Sequence, residues 1–323
     1  MDSSKRAVLS SFIHTSAFSA CYHPGKGADM MKAMQVYSGM LVEVLMMFKK
    51  PDEALEAAYE EMAVVLGTEP FEGRLGEKTL PPLYIIDREM ERGRDIARKT
   101  TQEWVDCPFD FYEALIQLIT DTLLFWEQEG AWRAETFRIF IELANRSMSL
   151  EMAAQELCDV IIECKIGRDG WSLADGLTGL SGICGRNLAR ALNGKGWWRP
   201  TRTNLLASPY NDVLFVMTQE ASRLGISAKT DWSRGLPAND CPADPPNELV
   251  DSIEPYCKVF MEMIGMTSLQ DQAVGSAKAA GRMLAVLAGG EEPEMAPVIA
   301  KPLAMAALTE TYKSIFTDFA IVS

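Results

Sequence analysis

Histidine is nearly absent: the 323 residues contain two, His14 and His23. The seven cysteines form no CxxC pair, and Cys158 and Cys164 are not at a zinc spacing. Zinc sites draw mainly on these two residue types, so the chain is not expected to hold zinc. An odd number of cysteines without paired spacing reads instead as free thiols in a reducing compartment. No GxSxG occurs, and His14 has no evident partner, which argues against a Ser–His–Asp hydrolase. The segment His23-Pro24-Gly25-Lys26-Gly27 lacks the GxxxxGK[ST] spacing of a phosphate-binding loop and reads as a turn. No run of about 18 apolar residues is present, and the nearest approach, Met40 to Phe48, is far too short to span a membrane. The opening MDSSKRAVLSSFIHTSAF has its apolar stretch broken by Ser, His and Thr and carries no secretory pattern. These absences predict a soluble, cytoplasmic protein with no membrane partner.

Positive charge is also scarce. Lys and Arg number 31 against 45 Asp and Glu, a net charge of −14. Such a surface repels phosphate backbones, so nucleic acid is not expected as the main partner. It suits a solvated enzyme, an assembly subunit, or a site that gathers divalent cations. The chain is 48% hydrophobic, enough for a substantial core in one large or two ordinary domains. Eighteen methionines fit adaptable core packing or a subunit interface, which raises a homo-oligomer as an expectation.

Apolar residues recur at helical spacing almost throughout, predicting an all-α multi-helix bundle. Helices are expected over 6–21, 28–49 and 52–66, then over 87–103, 109–129, 132–147, 150–167 and 173–192. After these come 209–224, 248–264, 268–288 and 297–317. Ser149 is read as an N-cap, and Ser172 with Asp175 as a capping box. Residues 68–86 read as a loop, with Leu83–Ile86 as a short strand. The charged run over 87–103 reads as a solvated face. The glycines from Gly176 to Gly185 follow no strand and read as a loosely packed helix. Gly275, Ala277, Ala279, Ala280 and Gly281 form a small-residue face that permits close helix approach. Composition divides the chain into an N-terminal helical region, 1–86, a central acidic bundle, 87–205, and a C-terminal helical region, 206–323.

One constellation points to chemistry. Glu156, Asp159 and Glu163 are spaced i, i+3 and i+7, so a helix puts them on one side. If 132–147 and 150–167 form an antiparallel hairpin, Glu142 approaches Glu156 and Asp159. Crowded carboxylates repel unless a hard divalent cation sits among them, and Mg²⁺ favours such an oxygen-rich cage while keeping sites for substrate phosphates. Arg186, Asn187, Arg190 and Lys195 follow and are placed to bind phosphate oxygens of a nucleotide. Trp197 and Trp198 read either as a stacking surface for a base or as a packing lid. The bland reading of the same acids is a solvated helix face.

The stretch from Phe137 to Pro200 resembles the MazG-like, all-α nucleoside triphosphate pyrophosphohydrolases, especially the phage-type members. The resemblance rests on Glu156-Leu-Cys-Asp159 with the following Val-Ile-Ile, on Glu142 upstream, and on Arg186-Asn187-Leu-Ala-Arg190 with the basic tail Gly-Lys-Gly-Trp-Trp-Arg-Pro. Arg138 and Ile139 stand where the family carries further acids, and Ile183 where it carries a lysine. A fainter echo over 8–68, with Glu43, Glu56 and Glu60, suggests an internally duplicated helical unit. The resemblance implies a Mg²⁺-dependent hydrolase of (d)NTPs, or its inactive relative. Glu142, Glu156 and Asp159 would be catalytic and, with Glu163, bind metal, while Arg186, Asn187, Arg190 and Lys195 would hold substrate. The competing reading is a non-enzymatic helical structural, assembly or partner-binding protein, viral or phage in type.

Overall fold

The computed structural model describes residues 3–23, 27–68, 83–104, 108–128, 132–193, 210–227, 244–290 and 293–320. Among them the fold is all-α. Eleven helices follow in order: α1 (Ser3–Cys21), α2 (Met30–Leu45), α3 (Pro51–Leu66), α4 (Leu83–Trp104), α5 (Pro108–Gln128), α6 (Arg133–Val160), α7 (Leu173–Asn193), α8 (Tyr210–Arg223), α9 (Pro246–Met263), α10 (Leu269–Ala288) and α11 (Pro297–Ala320). A π-turn, Ile161–Ile166, extends α6. The only strand pairing among the described residues is a two-residue antiparallel ladder, Tyr22–His23 with Gly27–Ala28. The turn expected at 24–26 lies outside the described residues. No described helix is long and apolar enough to cross a membrane.

Local sequence explains most helix ends. The Asp29 carboxylate accepts a hydrogen bond from the Lys32 backbone N–H and starts α2. Pro51 opens α3, and Gly67 closes it with φ 63°, a conformation that favours glycine. The Ser172 and Asp175 capping box forms as expected, with the Asp175 N–H donating to Ser172 Oγ at 3.1 Å and the Ser172 N–H to Asp175 Oδ2 at 2.9 Å.

The chain divides into two compact units, Met1–Met148 and Ser149–Ser323. That division falls within α6, away from the compositional boundaries at 86 and 205. In the first unit, α2 is the central helix: Val36, Met40, Leu41, Val42, Val44 and Leu45 are fully buried. Each such side chain contributes roughly 1.5–3 kcal/mol. Helix α4 crosses α2 with no side chain between the backbones. A Cβ on Gly39 would stand 2.0 Å from the Met90 carbonyl oxygen, and one on Gly93 2.0 Å from that of Val36.

In the second unit α7 is the central helix, packed against α9, α10 and α11. It is tightly packed, contrary to the expectation from its glycines. Gly176, Gly179, Gly182 and Gly185 form a period-three stripe, and neighbours fill every gap. A Cβ on Gly182 would lie 2.4 Å from Val250 Cγ2, and one on Gly185 2.2 Å from the Leu308 carbonyl oxygen. The π-turn serves the same packing. Its wider turn brings residues five apart toward one face, so both Ile161 and Ile166 reach the Gly176 position.

Three other expectations are overturned. Leu83–Ile86 begins α4 instead of forming a strand. The charged run on α4 is not simply solvated: Glu89, Glu91 and Arg94 are buried. The stretch around Met148 and Ser149 does not break the helix, because neither Gly nor Pro interrupts it and Ser149 donates its hydroxyl to the Ile264 carbonyl at 2.8 Å instead of capping.

Candidate functional site

The continuity of α6 decides where the predicted acids lie. Glu142 and Glu156 belong to one helix, fourteen residues apart, the first in the unit Met1–Met148 and the second in the unit Ser149–Ser323. The hairpin that would have joined them does not form. Glu142 instead acts on Tyr59, whose hydroxyl donates to the Ile141 carbonyl at 3.2 Å and to Asn145 Oδ1 at 3.1 Å. Burial, and then the Glu142 charge, push the Tyr59 phenol well above its ordinary value.

Glu156, Asp159 and Glu163 are all exposed. Glu156 is among the weaker causes, after burial, that raise the Tyr256 phenol on α9. Asp159 borders an open hollow of about 300 Å³ with Cys158, Arg282 and Val286. Burial, and then Asp159, push the Cys158 thiol up to about 12. Among the described residues no group of three or more His, Cys, Asp or Glu side chains is placed to hold a metal ion.

The predicted phosphate-binding residues are occupied elsewhere. Arg186 Nη1 donates to Asp251 Oδ1 at 2.5 Å and to Glu254 Oε2 at 2.7 Å, and Nη2 donates to Asn247 Oδ1 at 3.2 Å. Burial opposes the guanidinium charge, but the hydrogen bonds it donates to Asp251 and Glu254 outweigh it and hold the group above its ordinary value. Arg190 pairs with Glu254 as well. Asn187 is buried. Lys195, with Trp197 and Trp198, lies outside the described residues. The two arginines thus join α7 to α9 and spend their charge on the protein's own carboxylates.

Carboxylates do converge, at Glu151, Glu220 and Glu91, which the sequence pattern did not single out, and at Glu43, which it named only in the fainter echo. In the second unit, Glu151 on α6 and Glu220 on α8 meet Lys278 and Arg282 on α10. Lys278 Nζ lies 2.5 Å from Glu151 Oε1 and 3.9 Å from Glu220 Oε2. Arg282 reaches Glu151 Oε2 at 2.9 Å and Glu220 Oε1 at 2.8 Å. Arg223 also donates to Glu220, through Nε at 2.9 Å. The first unit repeats the device. Arg98 bridges Glu43 on α2, at 2.9 Å, and Glu91 on α4, at 2.6 Å. Arg94 donates to Glu91 at 2.7 Å and to Ser147 Oγ at 2.9 Å.

In both clusters a glycine permits the approach. Gly93 presses α4 onto α2, which carries Glu43. Gly281 presses α10 onto α8, which carries Glu220, with a Cβ placed 2.5 Å from the Met217 carbonyl oxygen. The signal in the sequence was Lys278 set inside Gly-Ser-Ala-Lys-Ala-Ala-Gly-Arg. The small residues on either side let neighbouring helices close over Lys278, whose buried ammonium is paired with Glu151.

Chemically, each cluster is a pair of carboxylates whose countercharge is an ammonium or guanidinium of the same chain. The positions that a divalent cation would take between Glu151 and Glu220 are filled by Lys278 Nζ and the Arg282 guanidinium. No family model matches this chain, and no curated protein or solved structure matches it.

Proposed function

We propose that the chain is a non-enzymatic helical protein, an assembly or partner-binding subunit, and not a nucleotide pyrophosphohydrolase. The observation that carries this reading is the filling of both converging carboxylate pairs by internal cations. A Mg²⁺ site that clamps a triphosphate needs free carboxylate oxygens and free cationic side chains around one cleft. Here Glu151 and Glu220 are ion-paired with Lys278 and Arg282, and Arg186 and Arg190 are ion-paired with Asp251 and Glu254. The exposed acids Glu156, Asp159 and Glu163 then act as a solvated face.

A second feature supports partner binding. On α9, Tyr256, Val259 and Met263 stand at i, i+3 and i+7 and are 47%, 57% and 78% exposed. An apolar stripe at helical spacing left in solvent suits contact with another protein surface.

The test is pyrophosphate release from a panel of NTPs and dNTPs with Mg²⁺, run beside a circular dichroism spectrum. The expected outcome is a fully helical protein with no release. Release that stops on adding EDTA would overturn the reading and restore the hydrolase.

A further inference from the structure

Helices α1, α2 and α5 of the first unit enclose a cavity of about 500 Å³. Its floor exists because three buried positions are small: Ala17 and Cys21 on α1 and Ala33 on α2. Larger side chains there would fill the space. Its walls are aromatic, with Phe18 from α1, Tyr37 from α2, and Phe125 and Trp126 from α5. Phe18 and Phe125 are 45% and 56% exposed, so the rings rim an open mouth.

The polar groups in the cavity define its chemistry. The Tyr37 phenol is raised by burial and hydrogen-bonds the Thr122 side chain. Burial pushes the Cys21 thiol up to about 12, so the floor is uncharged at neutral pH. Asp121 is the one carboxylate among the lining residues, and it is exposed. Among the described lining residues His14 is the one imidazole, and there is no Lys or Arg. An anionic ligand such as a nucleotide would therefore meet the Asp121 carboxylate on the lining, while the Arg92 and Lys32 charges that reach Cys21 are offset by Glu89 and Asp29.

We propose that this cavity is a binding site for an amphiphilic organic cation, an ammonium group carried on an apolar or aromatic body. The aromatic rings of Phe18, Tyr37, Phe125 and Trp126 on the lining suit such a head group, and Asp121 supplies its counter-ion. The volume falls within the range of small-molecule sites. The net charge of −14 concentrates cations at the mouth. The site rests on the first unit alone and stands apart from the question of catalysis.

Equilibrium dialysis of the whole chain against benzyltrimethylammonium, benzyl alcohol and benzylsulfonate tests it. The cation is expected to be retained, the neutral alcohol more weakly and the sulfonate not at all. Asp121→Asn, an exposed change that leaves the fold intact, is expected to weaken retention of the cation about ten-fold. Trp126→Leu is expected to weaken it as well, while Asp159→Asn, in the second unit, leaves it unchanged. No retention of the cation, equal retention of all three probes, or unchanged binding by Asp121→Asn would each overturn the assignment.

Discussion

The Lys278 ammonium lies 2.5 Å from the Glu151 carboxylate, and their side chains are 1% and 5% exposed. A pair so far from water gains little net stability over an apolar pair, but each member is costly without the other. Lys278→Met is therefore expected to destabilise the protein by about 3–5 kcal/mol, because it leaves Glu151 and Glu220 sharing the remaining cations. Adding Glu151→Gln to that variant should recover part of the loss. Urea unfolding of the single and double variants measures both effects. Equal stability of Lys278→Met and the parent would remove the cluster from the fold's energetics.

Helix propensity and packing make opposite predictions at Gly185. Replacing a helix-interior glycine with alanine ordinarily gains about 1 kcal/mol. Here the new Cβ would stand 2.2 Å from the Leu308 carbonyl oxygen, a backbone atom that cannot swing aside. Gly185→Ala is expected to lose about 3 kcal/mol, the upper end for overpacking. A thermal scan showing a raised Tm would mean that α7 and α11 are not in close contact.

Alkaline pH should unfold the protein through its buried thiols. Cys21, Cys158 and Cys257 are pushed by burial from 9.0 up to about 12. Below pH 9 both folded and unfolded chains keep these protons, and the full stability is present. Above it the unfolded chain ionises while the folded chain does not, so stability falls until about pH 12. The expected loss is up to about 1.4 kcal/mol per thiol for each pH unit in that window. Buried Lys301, lowered by burial, acts with the opposite sign, since the unfolded chain holds its proton to higher pH. Urea midpoints from about pH 8 to 10 measure the slope, and Cys257→Ala should make it shallower. A flat profile in both proteins would contradict the burial of these thiols.

The exposed stripe on α9 should be silent in the isolated chain. Val259→Glu with Met263→Glu is expected to shift stability by less than about 0.5 kcal/mol, because neither side chain packs inside the fold. A large drop in Tm would show that the stripe is covered within the molecule.

Helix existence was legible in the sequence wherever apolar spacing met a strong stop. Gly67 after α3, the Ser172–Asp175 box before α7 and the proline opening α3 all mark real ends. What the pattern could not separate was two helices from one. Ser147-Met148-Ser149 holds a capping residue but no breaker, and tertiary contact turned Ser149 toward Ile264. That single junction moved Glu142 away from the other acids. Charge was misread for a related reason. Arg94, Glu91, Lys278 and Glu151 carry the same formal charges in solvent or in a core, and only their helical neighbours decide between the two. Glycine carried a similar ambiguity: on α7 it marks close contact with other elements, a property that no local rule reports.

Because Lys278, Arg282, Arg94 and Arg98 come from the chain itself, the ribosome delivers each carboxylate cluster together with its counter-ions. The countercharge of each buried carboxylate is therefore inherited with the sequence that encodes the carboxylate.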